Sequence, residues 1–236
     1  MADRLAVPAE LVLVSTVGDR LRETPLEALP IRGVFVKEVQ QAVLDGRADA
    51  AVHSAKDLPA RTAAGLAIAA VPVRADPRDV LVGGRLDELL PGATIATGAP
   101  RRRAQLAWRR PDLTFTGLRG SIETRLGKIP EGGAVVTALA ALERLGLIGV
   151  ATEVLEPEVL LPQAGQGALA IECREGDDET AALLATIDDA SSHAALDAER
   201  AVLAELGGGC DAPVGALAVS CEGGLRLEAV VASPEG

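Results

Sequence analysis

Apolar runs of strand length alternate with helical patterns along this chain, and this alternation constrains the fold more than any other feature. Apolar residues recur at helical spacing at Val36, Val39 and Val43, and a strand is predicted directly after them, over 48–52. With the apolar run at 11–14 interpreted as a buried strand before that helix, the order is strand, helix, strand. This order is typical of α/β proteins with parallel sheets.

The alternation starts again after residue 78 and once more near residue 190, which predicts three units. A crossover at 73–78 leads from the first unit into the second, and a strand predicted after the glycine-bearing loop 161–167 returns the chain to the first unit. The predicted units are residues 1–73 plus 167–186, residues 78–162, and residues 190–236.

The composition narrows the class of protein. Aromatic residues make up only 1% of the chain, so the core must be packed with Leu, Val, Ile and Ala. The net charge of −11 argues against general nucleic-acid binding, which needs a broad basic surface. No apolar run reaches the roughly 18 residues of a membrane span, and residues 1–10 do not resemble a signal peptide. We therefore expect a soluble, cytoplasmic protein that binds neither nucleic acid nor membrane.

Cys210 has the most unusual setting of the three cysteines. It follows three consecutive glycines, on a connector between a helix predicted over 191–206 and a strand predicted over 214–220. The cysteines form no CxxC pair and have no histidine at ligand spacing, so no metal site is expected. The connector is either a functional loop that displays a thiol or a glycine-rich helix stop with a half-buried cysteine.

Basic residues concentrate over 101–128, where there are eight basic side chains and only two acidic ones. Four of the arginines lie at or near predicted helix starts that follow strands: Arg101, Arg102, Arg119 and Arg125. Guanidinium groups bind carboxylates by two-point contacts, and the positive end of a helix dipole assists them. The pattern predicts a local anion site, with ion pairs inside the domain as the alternative.

A polar cluster over 53–59 follows the strand predicted at 48–52. Ligands bind beyond the carboxyl ends of strands in open parallel sheets, so this cluster is a second candidate part of the site. Within it, Asp57 can serve either in acid–base chemistry or as the cap of the following turn. His53 precedes Ser54, but adjacent strand residues point to opposite faces, which argues against nucleophilic catalysis by this pair.

Eight short stretches carry a resemblance to a known family. They are Gly33-Val34-Phe35-Val36-Lys37-Glu38, His53-Ser54-Ala55-Lys56-Asp57-Leu58-Pro59, Asp76-Pro77-Arg78-Asp79, Pro100-Arg101-Arg102, Leu118-Arg119-Gly120, Arg125-Leu126, Gly165-Gln166-Gly167 and Gly209-Cys210. In this order and at these spacings they resemble the hydroxymethylbilane synthases, also called porphobilinogen deaminases. Each stretch is weak evidence alone, and together they are specific.

The resemblance implies an α/β fold with two lobes similar to periplasmic binding proteins, each a mixed, mostly parallel sheet with helices on both faces, and a small α+β third domain. It implies a transferase of tetrapyrrole biosynthesis. Such an enzyme adds four porphobilinogens, each losing ammonia, to a dipyrromethane cofactor that a thioether joins to Cys210. Water then releases the linear tetrapyrrole. The implied partners are porphobilinogen and the growing chain, and the implied state is a monomer.

The resemblance also implies roles for individual residues. Asp57 is the predicted catalytic carboxyl, Phe35 is predicted to lie in the substrate cleft, and no metal ligand is implied. The residues predicted to bind the cofactor are Cys210, Ser54, Lys56, Thr97, Arg101, Arg102, Arg119, Gly120, Arg125 and Gln166. The many cations match the acetate and propionate groups that every pyrrole carries.

The chain departs from the family pattern in several places. The family's first strand has no counterpart before residue 11, Val17 stands where an Arg is usual, and Gly98 and Ala99 stand where two serines are common. The third domain also ends early, so the chain is expected to be truncated at both ends. The gaps indicate a misplaced start, a fragment of a longer chain, or a natural chain with impaired activity, and these alternatives stay open. Two rival hypotheses remain: a two-lobed module that binds a small carboxylate without chemistry, and a degenerate, non-catalytic relative.

Overall fold

The computed structural model describes residues 5, 7–16, 36–207 and 213–233, whose strands form three sheets. The strands are β1 (Ala50–Ser54), β2 (Leu66–Ala70), β3 (Asp79–Val82), β4 (Thr94–Ala96), β5 (Thr114–Thr116), β6 (Ala134–Ala138), β7 (Glu153–Leu155), β8 (Leu169–Arg174), β9 (Val214–Cys221) and β10 (Gly224–Val231). The α-helices are α1 (Lys37–Leu44), α2 (Pro100–Arg109), α3 (Ile122–Leu126), α4 (Leu139–Arg144), α5 (Asp178–Ala185) and α6 (Ala190–Glu205). We call β1, β8 and β2 the N-terminal sheet, β3 to β7 the central sheet, and β9 with β10 the C-terminal hairpin.

The N-terminal sheet has β8 in its middle, antiparallel to both β1 and β2. The chain leaves β2 for the central sheet and later returns from that sheet into β8. The start of β8 therefore lies next to the ends of β1 and β2, and β8 runs antiparallel to both strands. The prediction of mixed α/β sheets with a small third unit is confirmed. The prediction of mostly parallel pairing is wrong for the described strands of this sheet.

The apolar run at 11–14 does not form a strand. Residues 8–16 have no regular secondary structure, and Leu11 and Leu13 are 81% and 86% exposed. An apolar run becomes a strand only where a neighbouring strand accepts its backbone hydrogen bonds, and none of the described strands pairs with this segment. The prediction of a buried strand at this position is therefore wrong.

The central sheet has the strand order β5-β4-β6-β3-β7. β4 pairs in parallel with β5 and β6, whereas β3 pairs antiparallel with β6 and β7. Its core is aliphatic, as the composition requires, and includes the fully buried Leu81, Ile95, Leu106, Leu155 and Leu160. Because β4 and β6 are parallel, their carboxyl ends lie at one edge of the sheet, where α2 and α4 begin.

Helix α6 connects the C-terminal hairpin to the rest of the molecule. The side chain of Asp189 caps its first turn by accepting a hydrogen bond from the amide of Ser192 at 2.8 Å. Near its other end Leu203 packs against Val214 and Ala216 of β9. None of the helices in the described ranges has the length and apolar character needed to cross a membrane.

Candidate active site

A short turn of 3-10 helix, Ala55–Asp57, follows β1 and displays the side chains of Lys56 and Asp57. Ala55 is buried, and its amide donates a hydrogen bond to the carbonyl of Ala168 at 3.1 Å. The turn is therefore fixed to the backbone that enters β8, and two neighbouring ionisable groups project from it.

The return loop, residues 161–168, packs directly against this turn at Gly165. Gly165 has φ +75°, and a Cβ placed on it would lie 2.9 Å from the carbonyl carbon of Ala55 and 2.9 Å from the amide nitrogen of Lys56. Gln163 adds a hydrogen bond from its side-chain amide to the carbonyl of Lys56 at 3.1 Å. Only glycine allows this close approach, which sets the position of Lys56.

Gln166 is fully buried and connects the turn after β1 with strand β3 and helix α2. Its side-chain nitrogen donates to the carbonyl of Pro77 at 2.7 Å and to Oδ1 of Asp79 at 2.9 Å. Its side-chain oxygen accepts hydrogen bonds at 3.4 Å from Lys56 and from Arg102. All these partners belong to the protein, so a role of Gln166 in holding a cofactor stays a prediction.

Asp79 supplies the negative charge that pairs with two arginines of the predicted anion site. The sequence did not indicate this role. Asp79 is completely buried and lies 2.7 Å from Arg101 and 2.7 Å from Arg102. Burial opposes ionisation of this carboxyl, but the two guanidinium groups outweigh burial and hold the pKa of Asp79 well below its usual value. The only sequence signal was its place at the end of the stretch Asp76-Pro77-Arg78-Asp79.

Arg101 and Arg102 are buried and are bound mainly to the protein itself. Besides Asp79, Arg101 donates to the carbonyl of Leu161, and Arg102 donates to the carbonyl of Val136 at 3.3 Å. These are the ion pairs inside the domain that the sequence left open as the alternative. Nε of Arg101 has no hydrogen-bond partner in the described part of the chain. Direct cofactor binding by either arginine stays a prediction.

Burial and nearby arginines make Lys56 unusually easy to deprotonate. Burial lowers the pKa of its ammonium group to about 8, and the charges of Arg102 and Arg101 act in the same direction. Asp57 and Asp79 oppose this shift. A bound carboxylate would favour the charged form of Lys56 again, so the site is suited to an anionic ligand.

The surroundings of Asp57 also disfavour its charged form, which for a carboxyl shifts the pKa in the opposite direction, upward. Its side chain is exposed to water, although many protein atoms lie near its carboxyl. Burial raises the pKa of Asp57 above the usual value for aspartate, although Lys56, His53 and Arg125 favour its ionised form. A carboxyl that holds its proton longer than usual can serve as a general acid.

Two further predicted residues lie at α3: Arg119 precedes this helix, and Arg125 is part of it. Gly120 has φ +116°, and a Cβ on it would lie 2.7 Å from the methyl group of Thr124, so the loop folds tightly onto the helix. Nε of Arg125 donates to the carbonyl of Gly120 at 2.8 Å. Burial, together with the charges of Arg102 and Arg119, lowers the pKa of Arg125. The structure thus brings both Arg102 and Arg119 within electrostatic reach of Arg125.

A small cavity of about 50 Å³ lies between the ends of β1 and β6 and is lined in part by Ser54, Lys56 and Arg144. Arg144 donates to the carbonyl of Gly167 at 2.7 Å, and burial lowers its pKa. Arg144 was not among the predicted site residues, and its only sequence signal was its place at the end of a helix that follows a strand. Thr97 is buried after β4, where its hydroxyl accepts a hydrogen bond from the amide of Ala99 at 3.2 Å.

Glu199 on α6 is a second buried carboxylate that the sequence did not reveal. Its oxygens accept hydrogen bonds from Arg74 at 2.6 and 3.1 Å, from the amide of Gly165 at 2.7 Å and from the amide of Ala218 at 2.8 Å. One side chain therefore ties together the crossover, the return loop, the C-terminal hairpin and α6. Gly165 is common to this junction and to the turn that carries Lys56.

Phe35 and Cys210 lie outside the described residues, so their predicted roles stay predictions. In the described ranges, no cluster of three or more His, Cys, Asp and Glu side chains is arranged to hold a metal ion. Fold and site together define a mixed α/β protein that brings Lys56, Arg102 and Arg125 together beside the N-terminal and central sheets. We call this cationic region the cleft, and its charge suits anionic ligands.

Comparison with known proteins specifies this class further. Residues 1–182 match the family model "Porphobilinogen deaminase, dipyromethane cofactor binding domain", and residues 194–236 match "Porphobilinogen deaminase, C-terminal domain". A porphobilinogen deaminase from Acidothermus cellulolyticus is 50% identical over 96% of this chain and 71% of its own length. One from Roseiflexus castenholzii is 48% identical over 94% of this chain and 75% of its own length.

The chain belongs to the porphobilinogen deaminase family. Among solved structures, a YaeC-family lipoprotein from Enterococcus faecalis matches with a TM-score of 0.41 and 16% identity over 64% of this chain and 75% of that chain. The VFT2 domain of BvgS from Bordetella pertussis matches with a TM-score of 0.37 and 20% identity over 72% of each chain. These two similarities are too low to bear on function. The rival hypothesis of a carboxylate-binding module without chemistry is not favoured.

Proposed function

We propose that this chain adds four porphobilinogens, head to tail, to a dipyrromethane primer joined by a thioether to Cys210, and that water then releases hydroxymethylbilane. The observation that carries the proposal is the setting of Asp57, a carboxyl with a raised pKa beside Lys56 and within reach of the charge of Arg125. Membership of the porphobilinogen deaminase family supports the same reaction.

The residues of the cleft fit a dipyrromethane. Each of its pyrroles carries two carboxylates, and Lys56, Arg119 and Arg125 lie in a partly dry region where a positive charge gains most from an anionic ligand. When bound, the dipyrromethane supplies the pyrrole carbon to which the first substrate is joined. The cleft itself binds carboxylates, orients the substrate and limits access of water.

Asp57 is proposed to act at the substrate carbon that loses ammonia. Its raised pKa keeps a proton available for the leaving nitrogen, and the bond between that nitrogen and its carbon then breaks. The carboxylate that remains stabilises the positive charge left on the substrate. Proton delivery and charge stabilisation would thus come from one side chain on one fixed turn.

The other predicted site residues remain part of the proposal. They are Ser54, Thr97, Arg101, Arg102, Gly120 and Gln166 for the cofactor and Phe35 for the substrate. We also retain the division into residues 1–73 plus 167–186, residues 78–162 and residues 190–236, which the three separate sheets support. A cytoplasmic monomer that binds only porphobilinogen and the growing tetrapyrrole completes the proposal.

Mass spectrometry of the intact, denatured protein tests the attachment of the primer. We expect an added mass equal to a dipyrromethane, located by peptide mapping on Cys210, and both the added mass and product formation should be lost in Cys210→Ser. Cys221→Ser is the matched control, because Cys221 is an exposed free thiol and its loss should change neither result. A Cys210→Ser protein that still forms hydroxymethylbilane would contradict the proposal.

A further inference from the structure

The carboxylate of Asp79 binds two arginines of α2 and the side chain of Gln166. Asp79 begins β3 and is completely buried. Its Oδ2 accepts a hydrogen bond from Arg101 at 2.7 Å, and its Oδ1 accepts two from Arg102, at 3.1 and 2.7 Å. The side-chain nitrogen of Gln166 also donates to Oδ1, at 2.9 Å. These donors fix the orientation of the carboxylate, and the carboxylate fixes theirs in return.

The charges of Asp79 and its two arginines do not cancel. The side chains of Arg101 and Arg102 are 4% and 8% exposed, so two guanidinium groups are buried beside one carboxylate. Burial lowers the pKa of Arg101, and the charge of Arg102 acts in the same direction, whereas Asp79 opposes both. Without Asp79, two like charges would stay buried side by side unless one arginine moved toward water. Asp79 therefore keeps both arginines in place and leaves a positive charge for an anionic ligand.

Gln166 extends this cluster to the turn after β1. Its side-chain oxygen accepts hydrogen bonds at 3.4 Å from Lys56 and from Arg102. Its side-chain nitrogen donates to Asp79 at 2.9 Å and to the carbonyl of Pro77 at 2.7 Å. Turning the amide over would place its nitrogen against two cations and its oxygen against two acceptors, so the hydrogen bonds select one orientation. Through this orientation, the position of Asp79 determines where Lys56 finds its hydrogen-bond acceptor.

We propose that Asp79 is a positioning residue of this enzyme. Its carboxylate holds Arg101 and Arg102 in place to bind the carboxylates of the cofactor and the substrate, and through Gln166 it sets the distance of these arginines from Lys56. The inference rests on the carboxylate-binding role proposed for these cations. A growing chain carries several carboxylates on one frame, so it binds well only where the cations are spaced to match. Because Asp79 is completely buried, it acts through the cations and not by contact with the ligand.

Asp79→Asn in the cofactor-loaded enzyme tests this inference, because asparagine keeps the size of the side chain and loses its charge. We expect kcat/KM for porphobilinogen to fall about tenfold or more, since displaced cations no longer match the carboxylates of the ligand. Asp112→Asn is the matched control. Asp112 also pairs with an arginine, Arg110 at 2.7 Å, but it is exposed, and its substitution should leave kcat/KM unchanged.

The pH dependence of turnover separates positioning from a general loss of structure. Asp79 favours the charged form of Lys56, whose pKa is about 8. Asp79→Asn should therefore lower the pKa of Lys56 and move the alkaline limb of kcat/KM to lower pH, whereas Asp112→Asn should leave this limb in place. The other charged groups around Lys56 are unchanged in both variants; they are Asp57 on the same turn, Arg101 and Arg102 on α2, and Arg144 on α4, which lines the same small cavity.

A double variant shows whether Asp79 acts through the arginines. In Arg102→Gln one partner of Asp79 is already neutral, so Asp79→Asn has less left to displace. We expect the variant that carries both substitutions to lose about as much kcat/KM as the more impaired single variant. If the two residues acted independently, the two losses would multiply instead.

The outcomes separate this inference from the proposed function. Folded Asp79→Asn with the kcat/KM of the wild type would overturn the inference, and so would an unmoved alkaline limb or losses that multiply in the double variant. Formation of hydroxymethylbilane by Cys210→Ser would instead overturn the proposed function, whatever the kinetics of Asp79→Asn. If Asp79→Asn does not fold, Asp79→Glu decides. Glutamate keeps the charge but lengthens the side chain, so the alkaline limb should stay while kcat/KM falls, and an unchanged kcat/KM would overturn the inference.

Discussion

Lys56 shows at the scale of one residue how the cleft is prepared for an anionic ligand. Burial and two neighbouring arginines make its charge costly, so its ammonium group has a pKa of about 8 in place of the ordinary 10.5. A bound carboxylate reverses part of this cost. The binding of substrate and the protonation of Lys56 should therefore favour each other.

The first prediction at this scale concerns the alkaline limb of activity. We expect kcat/KM for porphobilinogen to fall above about pH 8, because Lys56 then loses the charge that binds a carboxylate. Lys56→Arg should move this limb to higher pH, since a guanidinium group stays charged. Lys128→Arg is the control and should leave the limb unchanged, because Lys128 is an exposed lysine two residues after the end of α3. A limb that stays near pH 8 in Lys56→Arg would assign it to another group.

The free energy of unfolding provides an independent check, because the contribution of Lys56 to it should rise with pH where activity falls. The folded chain releases the proton of Lys56 near pH 8, whereas the unfolded chain releases it near the ordinary 10.5. Between these values the unfolded state binds more protons, so the contribution of Lys56 to stability rises with pH. Deprotonation of Lys56 between these pH values therefore does not destabilise the fold, and a loss of activity in this interval does not result from unfolding caused by this group.

At the scale of elements, the contact between the return loop and the turn Ala55–Asp57 determines the geometry of the site. Gly165→Ala would place a Cβ 2.9 Å from the backbone of Ala55 and of Lys56, so the turn must shift. We expect kcat/KM to fall by about tenfold or more, because catalytic groups tolerate little displacement. Steady-state kinetics with porphobilinogen measures this effect.

Gly176→Ala is the matched control for this substitution. Gly176 has φ +82°, close to the +75° of Gly165, but a Cβ there would meet no atom within 4 Å. Both variants therefore carry the cost of an L-residue in the left-handed region, roughly 1–2 kcal/mol. Only Gly165→Ala adds the clash. Equal activity of the two variants would show that the spacing of loop and turn does not set the catalytic geometry.

Sequence reasoning succeeded for elements whose signals are local. The helix start predicted near Arg101 is that of α2, the helix predicted over 191–206 is α6, and the strand predicted over 214–220 is β9. It failed for elements that form only because they pair with a segment distant in the sequence. The strand Leu66–Ala70 is rich in alanine and has no alternation of polar and apolar residues, so only its pairing with β8 makes it a strand.

The same distinction applies to the site. The clustering of basic residues over 101–128 correctly indicated that several cations come together. The sequence could not show that Asp79, which is 23 residues from Arg102, would pair with both arginines of α2. Such pairing depends on which side chains the sheets bury together. Local patterns do not contain that information.

At the scale of the whole molecule, Glu199 joins four parts of the chain that are distant in sequence. Its charge is fully buried and balanced by Arg74, whose side chain is 10% exposed. The amides of Gly165 and Ala218 use the remaining acceptor capacity of the carboxylate. The position of α6, whose last turn precedes Cys210 in sequence, is therefore coupled through Gly165 to the turn that displays Lys56.

The prediction for this junction is that Glu199→Gln lowers the free energy of unfolding by about 3 kcal/mol, because Arg74 is left buried without its counter-charge. Urea-induced unfolding followed by circular dichroism measures the change. Glu205→Gln is the control on the same helix: Glu205 is exposed, and its substitution should change the free energy of unfolding by no more than about 0.5 kcal/mol. Because the junction also fixes Gly165, Glu199→Gln should reduce kcat/KM even in urea-free buffer, where the protein is folded. Equal unfolding midpoints for the two variants would mean that the contacts of Glu199 do not hold the crossover, the return loop and the C-terminal hairpin to α6.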